Sequence, residues 1–376
     1  MIALAWLSLL FPLLVFAGYP ALMLVAARFR PPRALASSAS VPSISIVIGA
    51  HNEAATIGAK LASVAAALAH WPGEAEVNVA DDGSTDDTAA MAEAAGVRVL
   101  RCPRGGKAAA LNRVVGQARG EVLVMTDADP LFDRRTLPAL LAPFADPSVG
   151  AVAGRVQTQR TRGARFADAD RWFRAYESAL RAAEDRLFGC VSADGGLYAL
   201  RRTLMPVVPP DVTDDFHIST AAVAAGQRIA FADKAVVWEH SIGGGRQQFR
   251  RRVRITVRGL TALWRRRALM NPWRTGWYAP ALVLHKLGRR LAPLAIYPLW
   301  LASGVLAWRG DLFWGLVWAG ITAAVLIAAA GAIGLRLKGP LRVVHGVMLH
   351  LVGLGWGTVL FVAGRRFTQW TPQKSA

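Results

Sequence analysis

The chain has 376 residues, 53% of them hydrophobic, and a formal net charge of +19 from 44 Lys and Arg against 25 Asp and Glu. That length suffices for one sizeable globular domain plus membrane segments, and the apolar residues gather at the two ends around a middle of ordinary soluble texture. The basic balance points to a membrane surface and an anionic substrate and away from nucleic acid, since no zinc-finger spacing or single-strand-binding motif is present. Two cysteines, Cys102 and Cys190, build neither a disulfide framework nor a CxxC metal site and read as free thiols in a reducing compartment.

Residues 2–28 form an apolar run with no charge before Arg28. A bilayer core of about 30 Å needs about 20 such residues, and the uncharged start Met1-Ile2-Ala3 favours a retained anchor over a cleaved signal peptide. Arg28, Arg30 and Arg33 then place the soluble middle of the chain in the cytoplasm. Residues 31–42 read as a Pro/Ser/Ala linker. From residue 43, SISIVIGA, EVNVADDG, VRVLRC and EVLVMTDAD read as strands alternating with helical stretches at 53–69, 85–95 and 107–118, the pattern of an α/β domain with a mostly parallel sheet. Ligands of such sheets bind beyond the carboxyl ends of strands, where two acidic clusters fall.

From residue 246 the chain is densely cationic yet amphipathic. Phe249, Val253, Val257, Leu260 and Trp264 recur at helical spacing while arginines fill the rest, the profile of a helix in the membrane interface plane or packed on the domain surface. Three further spans come at about 290–308, 312–334 and 342–363. Four spans put the basic 336–342 loop on the side of the soluble domain, as the positive-inside rule requires, and put Arg365 and Arg366 on the other side, against it.

Four constellations carry chemistry. Asp81 and Asp82, ending the second strand, offer carboxylates to a nucleotide base or ribose; the alternative is ordinary capping of the next helix by Ser84 or Thr85 with acids in its first turn. Asp127 and Asp129 stand two apart after EVLVM, so that in an extended segment both face one side and can share a hard cation, Mg2+ or Mn2+; a solvated turn is the alternative. Asp214 and Asp215 precede a helical stretch, where a carboxylate can act as general base or as a cap. The arginine run after Gln248 can hold a diphosphate or a membrane surface.

Order and spacing make these soft signals specific. With IVIGAHNEAATI, VADDGSTDDT, GGKAAALN, TDAD, ADGGLYALRR, TDDF and QQFRRR in this sequence, the chain resembles the membrane-integrated family 2 glycosyltransferases, the group that includes cellulose, hyaluronan and poly-N-acetylglucosamine synthases, over about residues 43–290. The resemblance implies a GT-A type domain over 43–245, after a transmembrane anchor at 1–30 and the linker at 31–42. Amphipathic interface helices at 246–288, about three transmembrane helices at 289–364 and a tail at 365–376 complete the chain. It implies an inverting, metal-dependent transfer from a UDP-sugar to a polysaccharide or lipid-linked acceptor at the cytoplasmic face of the cell membrane, with glycan or lipid acceptors and membrane lipids as partners. Asp215 matches the general base, with Asp214 beside it. Asn52, Glu53, Asp81, Asp82, Lys107, Asp127, Gln248, Arg251 and Arg252 fall on nucleotide-sugar positions, and Asp129 with Asp127 on the Mg2+ or Mn2+ site. Arg252 stands where the family has a tryptophan under the acceptor sugar, so a non-processive transfer to a polyprenyl phosphate or glycolipid competes with polymer synthesis. The reading from another class is a membrane transporter or scaffold whose α/β domain only binds nucleotide.

Overall fold

A computed structural model describes residues 1–31, 33, 41–159, 167–239 and 245–368, with side chains described throughout except at 167–170 and 245–248. By its contacts the chain divides into two units, one of residues 1–22, 243–263 and 280–366, the other of 23–242, 264–279 and 367–376.

The second unit is organised by an eight-stranded sheet. In chain order its strands are β1 (Ile44–Ala50), β2 (Ala75–Asp81), β3 (Arg98–Arg101), β4 (Val122–Asp127), β5 (Leu131–Phe132), β6 (Val149–Thr158), β7 (Tyr198–Arg201) and β8 (Arg228–Glu239), and in space they run β3-β2-β1-β4-β7-β6-β8-β5. All seven residues of β1 are buried, as a central strand covered on both faces demands. β1 pairs in parallel with β2 on one side and β4 on the other. The crossover helices Ala54–Leu68, Thr88–Ala94 and Lys107–Val115 lie where the apolar periodicity places them, within a few residues. The parallel expectation holds through β3-β2-β1-β4, whereas β7 joins β4 and β6 antiparallel, so the whole sheet is mixed.

The chain winds from β1 outward to β2 and β3 and then returns to lay β4 on the opposite side of β1. That reversal between β1 and β4 is a topological switch point, where loops leaving adjacent strands diverge and open a crevice. Register fixes the crevice rim: Ala50 pairs with Asp81 and Gly49 with Asp127.

The other unit holds the membrane segments. Among the described residues, four helices are long and apolar enough to cross a bilayer: Ile2–Arg28, Tyr278–Trp308, Leu312–Ala332 and Gly339–Val362. The second begins well before the expected residue 290, because Lys286, Arg289 and Arg290 interrupt the hydropathy without interrupting the helix. Trp314, 2% exposed, packs on Ala5, Leu299, Ala302 and Leu306 and meets Trp6 edge-on at 5.0 Å. Asp311 caps its helix by accepting from the Trp314 amide at 3.2 Å. The amphipathic segment forms one helix, Gly245–Arg265, which buries Val253, Val257 and Leu260 as its spacing predicts; Trp264, expected on the same face, is 61% exposed.

Candidate active site

The turn after β1 is the first wall of the crevice. Asn52 adopts a left-handed backbone with φ 55°, a conformation asparagine tolerates better than most residues. Its amide donates to Ser84 Oγ at 2.9 Å, and its side-chain carbonyl accepts from the Thr85 amide at 2.8 Å. Asn52 thus ties the β1 turn to the β2 turn. Glu53 donates its amide to Thr88 Oγ1 at 2.8 Å. Burial first, and then the charges of Asp129, Asp127 and Asp86, push its carboxyl up to about 7.

The two carboxylates ending β2 face inward. Asp81, 3% exposed, accepts from the Ser84 hydroxyl and from its amide at 3.2 Å. Asp82, 1% exposed, accepts from the amides of Gly105 at 2.8 Å and Gly106 at 2.9 Å and pairs with Arg104. Each charged hydrogen bond of this kind contributes more than a neutral one, so Asp82 holds the Gly105-Gly106 loop against the β2 end.

That loop delivers Lys107, the first residue of its helix, into the crevice. Its ammonium donates to Asp127 Oδ1 at 2.5 Å and lies 2.6 Å from Asp214 Oδ2. Gly49 makes this approach possible, since a side chain there would start 3.2 Å from Lys107 Cε. Burial works against the lysine's charge, but Asp127 and Asp214 outweigh it and raise its pKa. Burial also raises the Asp127 carboxyl, with Lys107 opposing and Asp214 and Asp129 reinforcing the shift. Lys107 therefore joins the acid ending β4 to the acids that open the helix Asp214–Ala224.

Asp215 accepts from the Phe216 amide at 2.7 Å through Oδ1. Burial, then the neighbouring charges of Asp214 and Asp194, push its carboxyl up to about 6. Gly195 lies close to both Asp127 and Asp215: a Cβ there would lie 3.5 Å from Asp127 Oδ2 and 3.8 Å from Asp215 Oδ2. Both carboxylate oxygens thus border the space that a side chain at 195 would occupy. Asp194, next in the chain, lies 3.6 Å from Arg181 and 3.9 Å from Arg174.

The structure brings the acidic turns at 81–82, 127–129 and 214–215 to one edge of one sheet, together with Asn52, Glu53 and Lys107. The strand ends at Asp127, so Asp129 sits in the following bend and the alternation rule for extended chain does not reach it. Arg251 and Arg252 belong to the membrane-segment unit, where the Arg252 stem lies beside Gly353. The Gln248 side chain lies outside the described residues. Sequence reasoning missed Gly195 and Lys60. A lysine at the position between Ile57, Leu61 and Val64, on the buried face of its helix, is the signal that marks Lys60.

The donor set fits a divalent cation. Among the described residues no three His, Cys, Asp or Glu side chains gather closely enough to ligate an ion by themselves. Asp127 and Asp129 supply two carboxylates, however, and Mg2+ or Mn2+ commonly takes one or two of these with phosphate oxygens completing the shell. Burial first, and then the neighbouring negative charges that such an ion would offset, raise the Glu53 and Asp127 pKa values.

Comparison with known proteins agrees with this geometry. Residues 45–201 match the family described as glycosyl transferase family 2. An N-acetylglucosaminyltransferase of Rhizobium meliloti is 27% identical over 221 residues, 52% of this chain and 51% of that protein, so the chain spans about half the length of that relative. A beta-monoglucosyldiacylglycerol synthase of Nostoc is 39% identical over 124 residues, 31% of this chain and 26% of that one. A mannosyltransferase from Pyrobaculum calidifontis, solved in complex with GDP-Man and Mn2+, superposes with a TM-score of 0.71 at 25% identity, covering 96% of this chain and 99% of that one. Residues 45–201 thus form a glycosyl transferase family 2 domain, with a mixed GT-A sheet and an acid-lined switch point, in a chain that also carries, among its described residues, four helices able to cross a membrane.

Proposed function

We propose that the protein transfers a hexosyl group from a nucleoside diphosphate sugar, with inversion, to a lipid-linked acceptor at the cytoplasmic face of a membrane. The observation that carries this reading is that Asp127, at the end of β4, and Asp215 both border the side-chain-free space at Gly195. An in-line displacement needs a leaving-group site and a base on opposite sides of one carbon, and the proposal assigns Asp127 to the leaving-group side and Asp215 to the base. Asp215 takes the proton from the acceptor hydroxyl, a role helped by a pKa close to the working pH. Lys107 holds Asp127 and Asp214 in place and faces the departing diphosphate with its charge. Mg2+ or Mn2+ held by Asp127 and Asp129 would supply offset for the negative charge that grows on the diphosphate as the sugar leaves.

A UDP-sugar is implied by the family resemblance, while the mannosyltransferase neighbour was solved with GDP-Man, so both nucleotides belong in the test. The lipid acceptor is favoured by Arg252 in place of the aromatic platform of polymerising members and by the likeness to a glycolipid synthase. Arg28 and Arg33, after the first apolar helix, support the cytoplasmic side. The experiment is to incubate the purified protein with UDP- and GDP-sugars, Mn2+ or Mg2+, and a polyprenyl phosphate or diacylglycerol. Release of UDP or GDP with one sugar added per lipid supports the proposal. A ladder of oligomers would assign a polymerase instead, and binding of nucleotide without any transfer would favour the scaffold reading.

A further inference from the structure

Beneath the acidic edge of the sheet lies a charge that the reaction itself does not use. Lys60, in the helix Ala54–Leu68, has no exposed surface. Its ammonium donates to Thr126 Oγ1 at 2.7 Å and to the Pro130 carbonyl at 2.5 Å, and it stands 4.2 Å from the centroid of the Phe132 ring. Thr126 and Pro130 bracket the segment Asp127-Ala128-Asp129 from either side. The Thr126 hydroxyl in turn donates to the Gly196 carbonyl at 2.8 Å, beside the Gly195 gap. One buried ammonium thus fixes both ends of the Asp127–Asp129 turn and, through one hydroxyl, the segment that faces Asp215.

A buried lysine is a poor way to hold a fold together. Removing an ammonium from water costs several kcal/mol, and here burial lowers the Lys60 pKa to about 7 even though Asp129, Asp127 and Glu239 act to raise it. A methionine of similar volume would fill the same apolar helix face between Ile57, Leu61 and Val64 without that cost. Past Asp127 the chain leaves the strand, so the ladder of the sheet no longer sets where Asp129 points. The hydrogen bonds of Lys60 supply the missing constraint.

We infer that Lys60 is a positioning residue for the divalent cation of the donor complex: it curves the Asp127–Asp129 turn so that both carboxylates converge on one ion. The inference rests on the proposed function and concerns residues that touch neither the sugar nor the acceptor. It predicts a separation of stability from binding that a merely structural lysine would not give.

The test compares the full-length wild type with Lys60→Met and Thr126→Val. Mn2+ binding is measured by electron paramagnetic resonance of the free ion, in the presence of UDP and, separately, GDP, alongside thermal unfolding. The expected result is that Lys60→Met stays folded, with an unfolding temperature lowered modestly at most because the buried Pro130 carbonyl loses its donor, while its Mn2+ affinity falls about 10- to 100-fold, the usual effect of losing a group that orients a metal ligand. Thr126→Val, which keeps the lysine and removes one of its two hydrogen bonds, falls by a smaller factor in the same direction. Wild-type Mn2+ affinity in Lys60→Met overturns the inference and leaves the proposed function standing. A markedly lower unfolding temperature in Lys60→Met with unchanged Mn2+ affinity in Thr126→Val also overturns it, by making the lysine structural. If the wild type binds no Mn2+ with either nucleotide, the metal-dependent reading falls and the inference with it.

Discussion

Replacing Gly195 by alanine probes the site through its empty space. The added methyl carbon would lie 3.5 Å from Asp127 Oδ2, 3.8 Å from Asp215 Oδ2 and 3.9 Å from Asp215 Cβ, all ordinary contact distances. Gly195 does not have a left-handed backbone, so alanine fits the conformation without strain. The fold therefore tolerates the change, and the narrower unfolded ensemble adds stability of about 0.4–1 kcal/mol. The methyl group, however, takes up space beside both carboxylates, where the proposed function puts the reacting sugar. A displacement of about 1 Å in a reacting geometry costs about 100-fold, so sugar transfer falls by at least about 100-fold while unfolding temperature is kept or raised. Nucleoside diphosphate release read beside a thermal melt measures both. Gly154→Ala is the contrasting control: its Cβ would come within 2.5 Å of Leu197 Cδ2 in the core, and overpacking of this kind costs about 1–3 kcal/mol. Full turnover by Gly195→Ala would refute the placement of the reaction between Asp127 and Asp215.

Asp215→Asn removes the proposed proton acceptor and is expected to lower turnover about 10²–10⁴-fold with nucleotide binding kept; equal turnover rules Asp215 out as the base. The base must be ionised to work, so with a carboxyl pushed up to about 6 the wild-type rate rises with pH through that value and falls below it, and a pH–rate profile flat from 5 to 8 contradicts the assignment. Lys107→Met leaves Asp127 and Asp214 facing each other without their shared cation. Breaking a buried pair costs about 3–5 kcal/mol; the low end applies because the Asp127 side chain keeps 34% exposure, and chemical denaturation measures the loss. Away from the site, Ser148 and then Arg228 hold the Asp146 carboxyl at about 2, below its ordinary 3.8. A depressed carboxylate stabilises the fold above its unfolded pKa and loses that contribution as pH falls through the folded value, so Arg228→Met raises the midpoint of acid unfolding between about pH 4 and 2.

Local signals in the sequence decided a great deal. The largely apolar run of Ile44–Ala50, broken only by Ser45, the helical spacing of Ile57, Leu61 and Val64, and the acids at the ends of β2 and β4 give strands, helices and turns, because hydrophobic period and turn chemistry act over a few residues. Four apolar segments of bilayer length were equally legible, since the membrane requirement is one of length and composition. Which of these turns meet was decided by the tertiary structure alone. Lys107 reaches Asp214, and Lys60 reaches Thr126 and Pro130, across separations at which no periodicity survives. Those meetings depend on β4 returning to the far side of β1 and on β7 entering antiparallel. A lysine in an apolar helix face and a glycine before a strand carry no message about their partners until strand order and register have placed them.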